Sequence, residues 1–122
     1  MATILIIEDN SDNMELAVFL LESAGHTVLS AIDAEAGLTL ARSALPALIL
    51  LDVQLPGMDG LQATALLKQD PTTCDIPVLA LTALAMKGDE ERIRARGCDG
   101  YIAKPFGARA FLETIASHLL GT

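Results

Sequence analysis

The chain has 122 residues, 52% of them hydrophobic but only 3% aromatic, and a formal net charge of −8. That length suits one domain with an aliphatic core, with no metal or disulfide required to hold it. The acidic balance argues against nucleic acid and anionic membrane surfaces as partners.

In chain order, Thr3 to Ile7 (TILII) is a continuous apolar run, the pattern of a strand buried on both faces. Ala17, Leu20, Leu21 and Ala24 then recur at helical spacing, with Asp12 and Glu15 resembling a capping box and Gly25 as the stop. Thr27 to Ile32 reads as a second strand, and residues from about Asp33 to Ser43 as a second helix that ends before Pro46. Ala47 to Leu51 (ALILL) is a third strand, with the carboxylate of Asp52 at its end. A third helix opens at Asp59, with Gln62 three residues on, and closes near Pro71. Pro77 to Leu81 is a fourth strand, Met86 to Arg96 a fourth helix stopped by Gly97, and Gly100 to Ala103 a fifth strand. The last helix carries Phe111, Ile115 and Leu119 on one face. Strand and helix alternate five times, which implies an open parallel sheet covered by helices on both sides, one domain over residues 1–122.

Ligands of such sheets bind beyond the carboxyl ends of the strands, where strand order switches. The residues found there are Glu8 and Asp9 after strand one, Asp52 after strand three, Thr82 after strand four, and Lys104 followed by Pro105 after strand five. Any one of these acids could serve as a helix N-cap. Together, three carboxylates are a poor structural device, because two of them about 4 Å apart repel by about 4 kcal/mol at an effective dielectric near 20. A hard divalent cation such as Mg²⁺ converts that repulsion into attraction.

These motifs, ILIIEDN, LILLDVQLPGMDG, VLALTA and YIAKPF, resemble those of the receiver domains of two-component response regulators, over essentially the whole chain. The resemblance implies a flavodoxin-like (βα)₅ fold with a parallel five-stranded sheet in the order 2-1-3-4-5. It implies that Asp52 is the phospho-accepting aspartate, attacking a phosphohistidine of a histidine kinase or phosphotransfer protein. Mg²⁺ is then held by Asp9, by Glu8 through water, by Asp52 and by the backbone carbonyl of Gln54. Thr82, Lys104 and the amide near Ala83 take the phosphoryl oxygens, Tyr101 is the switch residue of an output face formed by the fourth helix, fifth strand and last helix, and the Lys104–Pro105 bond is cis. Gln54 and Leu84 flank the path of an attacking water and tune the lifetime of the phosphoryl group. A downstream target protein is the expected reader. Such a protein is not a conventional enzyme, although it catalyses its own phosphotransfer and dephosphorylation.

Four other readings stand beside this one. A flavodoxin needs a glycine- and hydroxyl-rich phosphate loop where this chain has EDNSDN, and an aspartate-nucleophile phosphatase wants an acid where Gln54 stands. A receiver that only binds partners, without phosphorylation, usually lacks one of the acids or the lysine, all of which are present. A relay receiver cut from a larger hybrid kinase or regulator is equally compatible with the motifs.

The remaining features read blandly. Cys74 and Cys98 have no zinc spacing and are expected as reduced thiols. MATILIIEDN has no basic region of a signal peptide and no apolar run reaches the ~18 residues of a membrane helix, so a soluble, cytoplasmic protein is expected. Lys87 to Arg96 form a mixed-charge helix suited to its dipole, His26 and His118 are expected at the surface, and Met58, Met86 and Phe106 fill the core.

Overall fold

The structure is a computed structural model and describes residues 2–83 and 88–120. Five strands and five helices alternate: β1 (Thr3–Ile7), α1 (Ser11–Ser23), β2 (Thr27–Ala31), α2 (Ala34–Ala44), β3 (Leu48–Asp52), α3 (Gly60–Gln69), β4 (Val78–Thr82), α4 (Asp89–Ala95), β5 (Gly100–Ala103) and α5 (Ala108–Leu120). All strands pair in parallel in the order β2-β1-β3-β4-β5. This is the flavodoxin-like arrangement, with its switch point between β1 and β3.

Side-chain alternation divides the core into two layers. Ile4, Ile6, Leu48, Leu50, Leu79, Leu81 and Ile102 pack against α1 and α5, together with Phe111 and Ile115. Leu5, Ile7, Ile49, Leu51, Val78 and Ala80 pack on the other side, with Leu38, Leu61, Leu67 and Ile93 of α2, α3 and α4. Burial on both faces is why β1, β3 and β4 read as unbroken apolar runs. Phe106 stacks on Phe111 with ring centroids 4.5 Å apart, and Met58 is half-buried against the second layer.

Several boundaries differ from the sequence reading. Helix α1 is capped by Asn10, whose side chain accepts from the Asn13 amide, while Asp12 lies inside the first turn. Strand β2 ends at Ala31, since Ile32 leaves the sheet at 67% exposure and Asp33 caps α2. Among the described residues α4 begins at Asp89; Leu84, Met86 and Lys87, which figured in the sequence reading, lie outside the described residues. His118 is half-buried rather than on the surface: Gly100 has no side chain, and the His118 ring fills the space above it, with Nδ1 3.0 Å from the Thr114 carbonyl. His26 is also half-buried, its Nδ1 accepting from the Ala2 amide at 3.2 Å. Cys74 and Cys98 are free thiols, the latter buried. Among the described residues no helix is long and apolar enough to cross a membrane.

Candidate functional site: a carboxylate cleft at the strand ends

Register and alternation together decide which side chains meet. Ile7 is level with Leu51, so Glu8 and Asp52 lie one step further at the same height. Glu8 continues the Ile4, Ile6 series, Asp52 the Leu48, Leu50 series and Lys104 the Gly100, Ile102 series, all toward the α1–α5 side. Thr82 instead continues Val78 and Ala80 toward the opposite side, where Tyr101 also packs, half-buried, one strand over.

The contacts follow this placement. Lys104 Nζ donates to Asp52 Oδ2 at 2.9 Å and lies 2.7 Å from Glu8 Oε1, while the Gln54 amide donates to Asp52 Oδ1 at 3.0 Å. Glu8 is 0% exposed and Asp52 4%. Glu8 Oε2 accepts from the Asn10 amide, but Oε1, although paired in charge with Lys104, has no hydrogen-bond donor aligned on it. One oxygen each from Glu8, Asp9 and Asp52 can be chosen so that all three lie within 4.8 Å of one another. Asp9 is exposed on the rim. The Lys104 amide donates to the Thr82 carbonyl at 2.8 Å, tying β5 to β4 at the mouth of the site, and the Lys104–Pro105 peptide bond is cis.

The electrostatics are unbalanced. Burial raises the Glu8 pKa, and the hydrogen bond and negative charge of Asp52 raise it further, to about 7, against the opposing pull of Lys104. Burial works against the Lys104 ammonium, but its two carboxylate partners outweigh it and raise the pKa. One cation among three acids leaves an excess of negative oxygen, with Glu8 Oε1 buried and sharing the single ammonium of Lys104 with Asp52. An all-oxygen donor set of this kind fits a hard divalent cation.

An open cleft of about 680 Å³ gives access to these groups, lined by Asp9, Asn10, Ser11, Asn13, Asp52, Gln54, Ala83 and Lys104. The sites named from sequence at Asp9, Asp52, Gln54, Ala83 and Lys104 therefore share one cavity, with Glu8 in its floor. Tyr101 and Pro105 line a separate groove with Phe106 and Thr114. Asn10, Ser11 and Asn13 were missed as lining residues. The signal available was the Asn10-x-x-Asn13 start of α1, which the Asp12 capping assignment obscured.

A doubly wound α/β sheet that gathers acids and a lysine at its switch point presents an acid pocket rather than a nucleotide cradle. The family model of the response regulator receiver domain matches residues 4–116, and the chain belongs to that family. It is 48% identical over 117 residues to the polar-differentiation response regulator DivK of Brucella anthropi, covering 96% of this chain and 95% of that relative. DivK of Brucella ovis matches equally well. Among solved structures, the receiver domain of sensor histidine kinase PA1611 from Pseudomonas aeruginosa, which has a magnesium ion coordinated in its active-site cleft, superimposes with a TM-score of 0.89 at 33% identity, covering 99% of this chain and 98% of that one. The chemotaxis response regulator CheY4 of Vibrio cholerae gives a TM-score of 0.92 at 26% identity, with 97% and 98% coverage. The protein is thus a receiver domain of two-component signalling.

Proposed function

We propose that Asp52 takes a phosphoryl group from a phosphohistidine on a sensor histidine kinase or histidine phosphotransfer protein, and that a downstream target reads the phosphorylated form. The observation that carries this reading is Asp52 itself: a nearly buried carboxylate held by Lys104 and the Gln54 amide at the mouth of an open, acid-lined cleft. Carboxylates serve as covalent nucleophiles in phosphoryl transfer. An Asp52 oxygen attacks phosphorus in line; the new P–O bond forms as the P–N bond to the donor imidazole breaks, and the ring leaves after gaining a proton. Lys104, the Thr82 hydroxyl and the Ala83 amide donate to the phosphoryl oxygens as charge spreads over them.

Glu8, Asp9, Asp52 and the Gln54 carbonyl would hold Mg²⁺, and the magnesium described in the cleft of the PA1611 receiver domain supports that assignment. When bound, the ion neutralises charge on the carboxylates and on the transferred group. Water admitted past Gln54 hydrolyses the acyl phosphate, so the protein turns itself off.

Thr82 and Tyr101 lie on the same side of the sheet on adjacent strands, which suits a switch. The Thr82 hydroxyl moves to the phosphoryl group, Tyr101 turns inward, and the α4–β5–α5 face changes. This is a shift between states, and it needs about 5.5 kcal/mol of differential binding to run from 1:99 to 99:1. With a net charge of −8, the expected partners are proteins rather than nucleic acid or membrane, and the cytoplasm is where such donors act. We take residues 1–122 as one such unit.

The test offers acetyl phosphate and Mg²⁺ to the parent protein and to Asp52→Asn, and follows label or a mobility shift on a phosphate-binding gel. Label on the parent and none on the variant is expected. Full labelling of Asp52→Asn removes Asp52 as the acceptor, and an unlabelled parent favours a receiver that only binds partners.

A further inference from the structure

At Gly60 the backbone of helix α3 comes up against the main chain of the strand that carries the acceptor. Gly60 is the first residue of the helix, buried, and held from both directions. Its amide donates to the Val53 carbonyl at 2.9 Å, and the capping box of Asp59 and Gln62 fixes the turn around it. A Cβ on Gly60 would collide with the carbonyl oxygen of Asp52, and would lie only 2.8 Å from both the Asp52 carbonyl carbon and Val53 Cα. These are backbone atoms of a strand buried between β1 and β4, so no flexible side chain can swing aside. Gly60 has no left-handed backbone angle that would demand glycine. Space is the constraint, and the space is taken by the main chain of the acceptor.

We propose that Gly60 is a positioning residue for the phosphoacceptor. The bare Cα lets α3 seat directly on the Asp52 peptide, and that seating sets the height of the Asp52 carboxylate relative to Glu8, Asp9 and Lys104. The inference rests on Asp52 being the acceptor. Ordinary contact between a methyl group and the Asp52 carbonyl would push helix and strand about 1 Å apart. A displacement of that size in a reacting group costs on the order of 100-fold in rate. Gly37 of α2 makes a close approach of a different character: the atoms a Cβ there would strike belong to the Ile7 side chain rather than to the main chain, and none belongs to Asp52.

The experiment compares Gly60→Ala with Gly37→Ala in the full chain. It measures Mg²⁺ affinity by calorimetry with the metal alone, and the rate of labelling by acetyl phosphate as a function of its concentration. Gly37→Ala controls for a general loss of stability. Positioning predicts that Gly60→Ala loses roughly 10- to 100-fold in maximal labelling rate with weakened Mg²⁺ binding, at unchanged dependence on acetyl phosphate concentration, while Gly37→Ala stays within about twofold of the parent on both. A folded Gly60→Ala that labels and binds Mg²⁺ like the parent overturns the proposal, as does an equal loss in Gly37→Ala. Should Gly60→Ala not fold, the parent still decides: on titration with Mg²⁺ the NMR resonances of the Gly60 amide and the Asp52 carbonyl must move together while that of Gly37 does not, and a motionless Gly60 at saturation overturns it. An unlabelled parent with normal Mg²⁺ binding would instead count against the acceptor reading and leave the metal arm to test Gly60.

Discussion

Lys104 reaches across β4 to bring its ammonium 2.9 Å from Asp52, a residue 52 positions earlier in the chain. The same nitrogen is 2.7 Å from Glu8, so one cation stands between two buried acids from different strands. Removing it leaves those acids facing each other without a counter-charge. Lys104→Ala should therefore lower the stability of the metal-free protein at pH 8, by up to about 3 kcal/mol in urea denaturation, and by less at pH 5, where protonation of Glu8 relieves the repulsion. Equal losses at both pH values would show that Lys104 contributes through packing of its stem alone.

The Glu8 carboxyl makes a second prediction, with a definite sign. Burial, followed by the hydrogen bond and charge of Asp52, lifts its pKa from 4.5 to about 7 in the folded protein. The folded state thus holds this proton more tightly than the unfolded chain does. The resulting stability is fully present below about pH 4.5 and is lost as pH rises through about 7. In EDTA, the unfolding free energy from urea denaturation should fall across that window, at no more than roughly 1.4 kcal/mol per pH unit. Glu8→Gln should flatten the slope. Mg²⁺ should stabilise the parent more at pH 8 than at pH 5, because the ion competes with the proton for the same oxygens.

Much of this site can be read from the sequence, for a simple reason. Each polar residue follows a strand whose apolar run marks its end, so Glu8, Asp52, Thr82 and Lys104 stand out where the runs stop. The two-sided burial that makes those runs continuous also hides which face each side chain takes. Alternation counted from a core residue is legible only once the layers are known: Glu8, Asp52 and Lys104 then fall on the α1–α5 side, with Thr82 and Tyr101 on the other. The ion pairs of Lys104 depend on that, and so could not be read in advance. Nor could the contact between Gly60 and the Asp52 backbone, since a helical glycine without a positive φ leaves no mark in the sequence.

The opposite edge of the sheet offers a control for effects at the cleft. Lys68 of α3 donates to the Ile76 carbonyl at 2.8 Å and to Asp99 Oδ2 at 3.0 Å, and the same Asp99 oxygen accepts from the Val78 amide at 2.8 Å. This ammonium ties α3 to the entrances of β4 and β5. Lys68→Met should cost about 1–3 kcal/mol in stability, since a partly buried carbonyl and a carboxylate lose their charged donor. Labelling of Asp52 and Mg²⁺ affinity should stay at parental values at temperatures where the variant is folded. A selective loss of Mg²⁺ binding would show that the two edges of the sheet are coupled.

The start of α1 separates two neighbouring residues that look interchangeable in the sequence. Asn10 accepts the Asn13 amide at 2.9 Å and caps the helix, whereas Asp12 sits within the first turn, where it acts through the helix dipole. Asn10→Ala should cost about 1 kcal/mol and Asp12→Ala only a few tenths, measured by urea denaturation at neutral pH. Asn10 has a second consequence, because its own amide donates to Glu8 Oε2 at 3.3 Å and its side chain lines the cleft beside Asp9. Loosening the cap frees that amide to move away from Glu8. Asn10→Ala should accordingly weaken Mg²⁺ binding severalfold, while Asp12→Ala, with its carboxylate outside the cleft lining, should leave it unchanged. The reverse ranking in calorimetry would place the helix cap at Asp12 in solution and detach the α1 turn from the acid pocket.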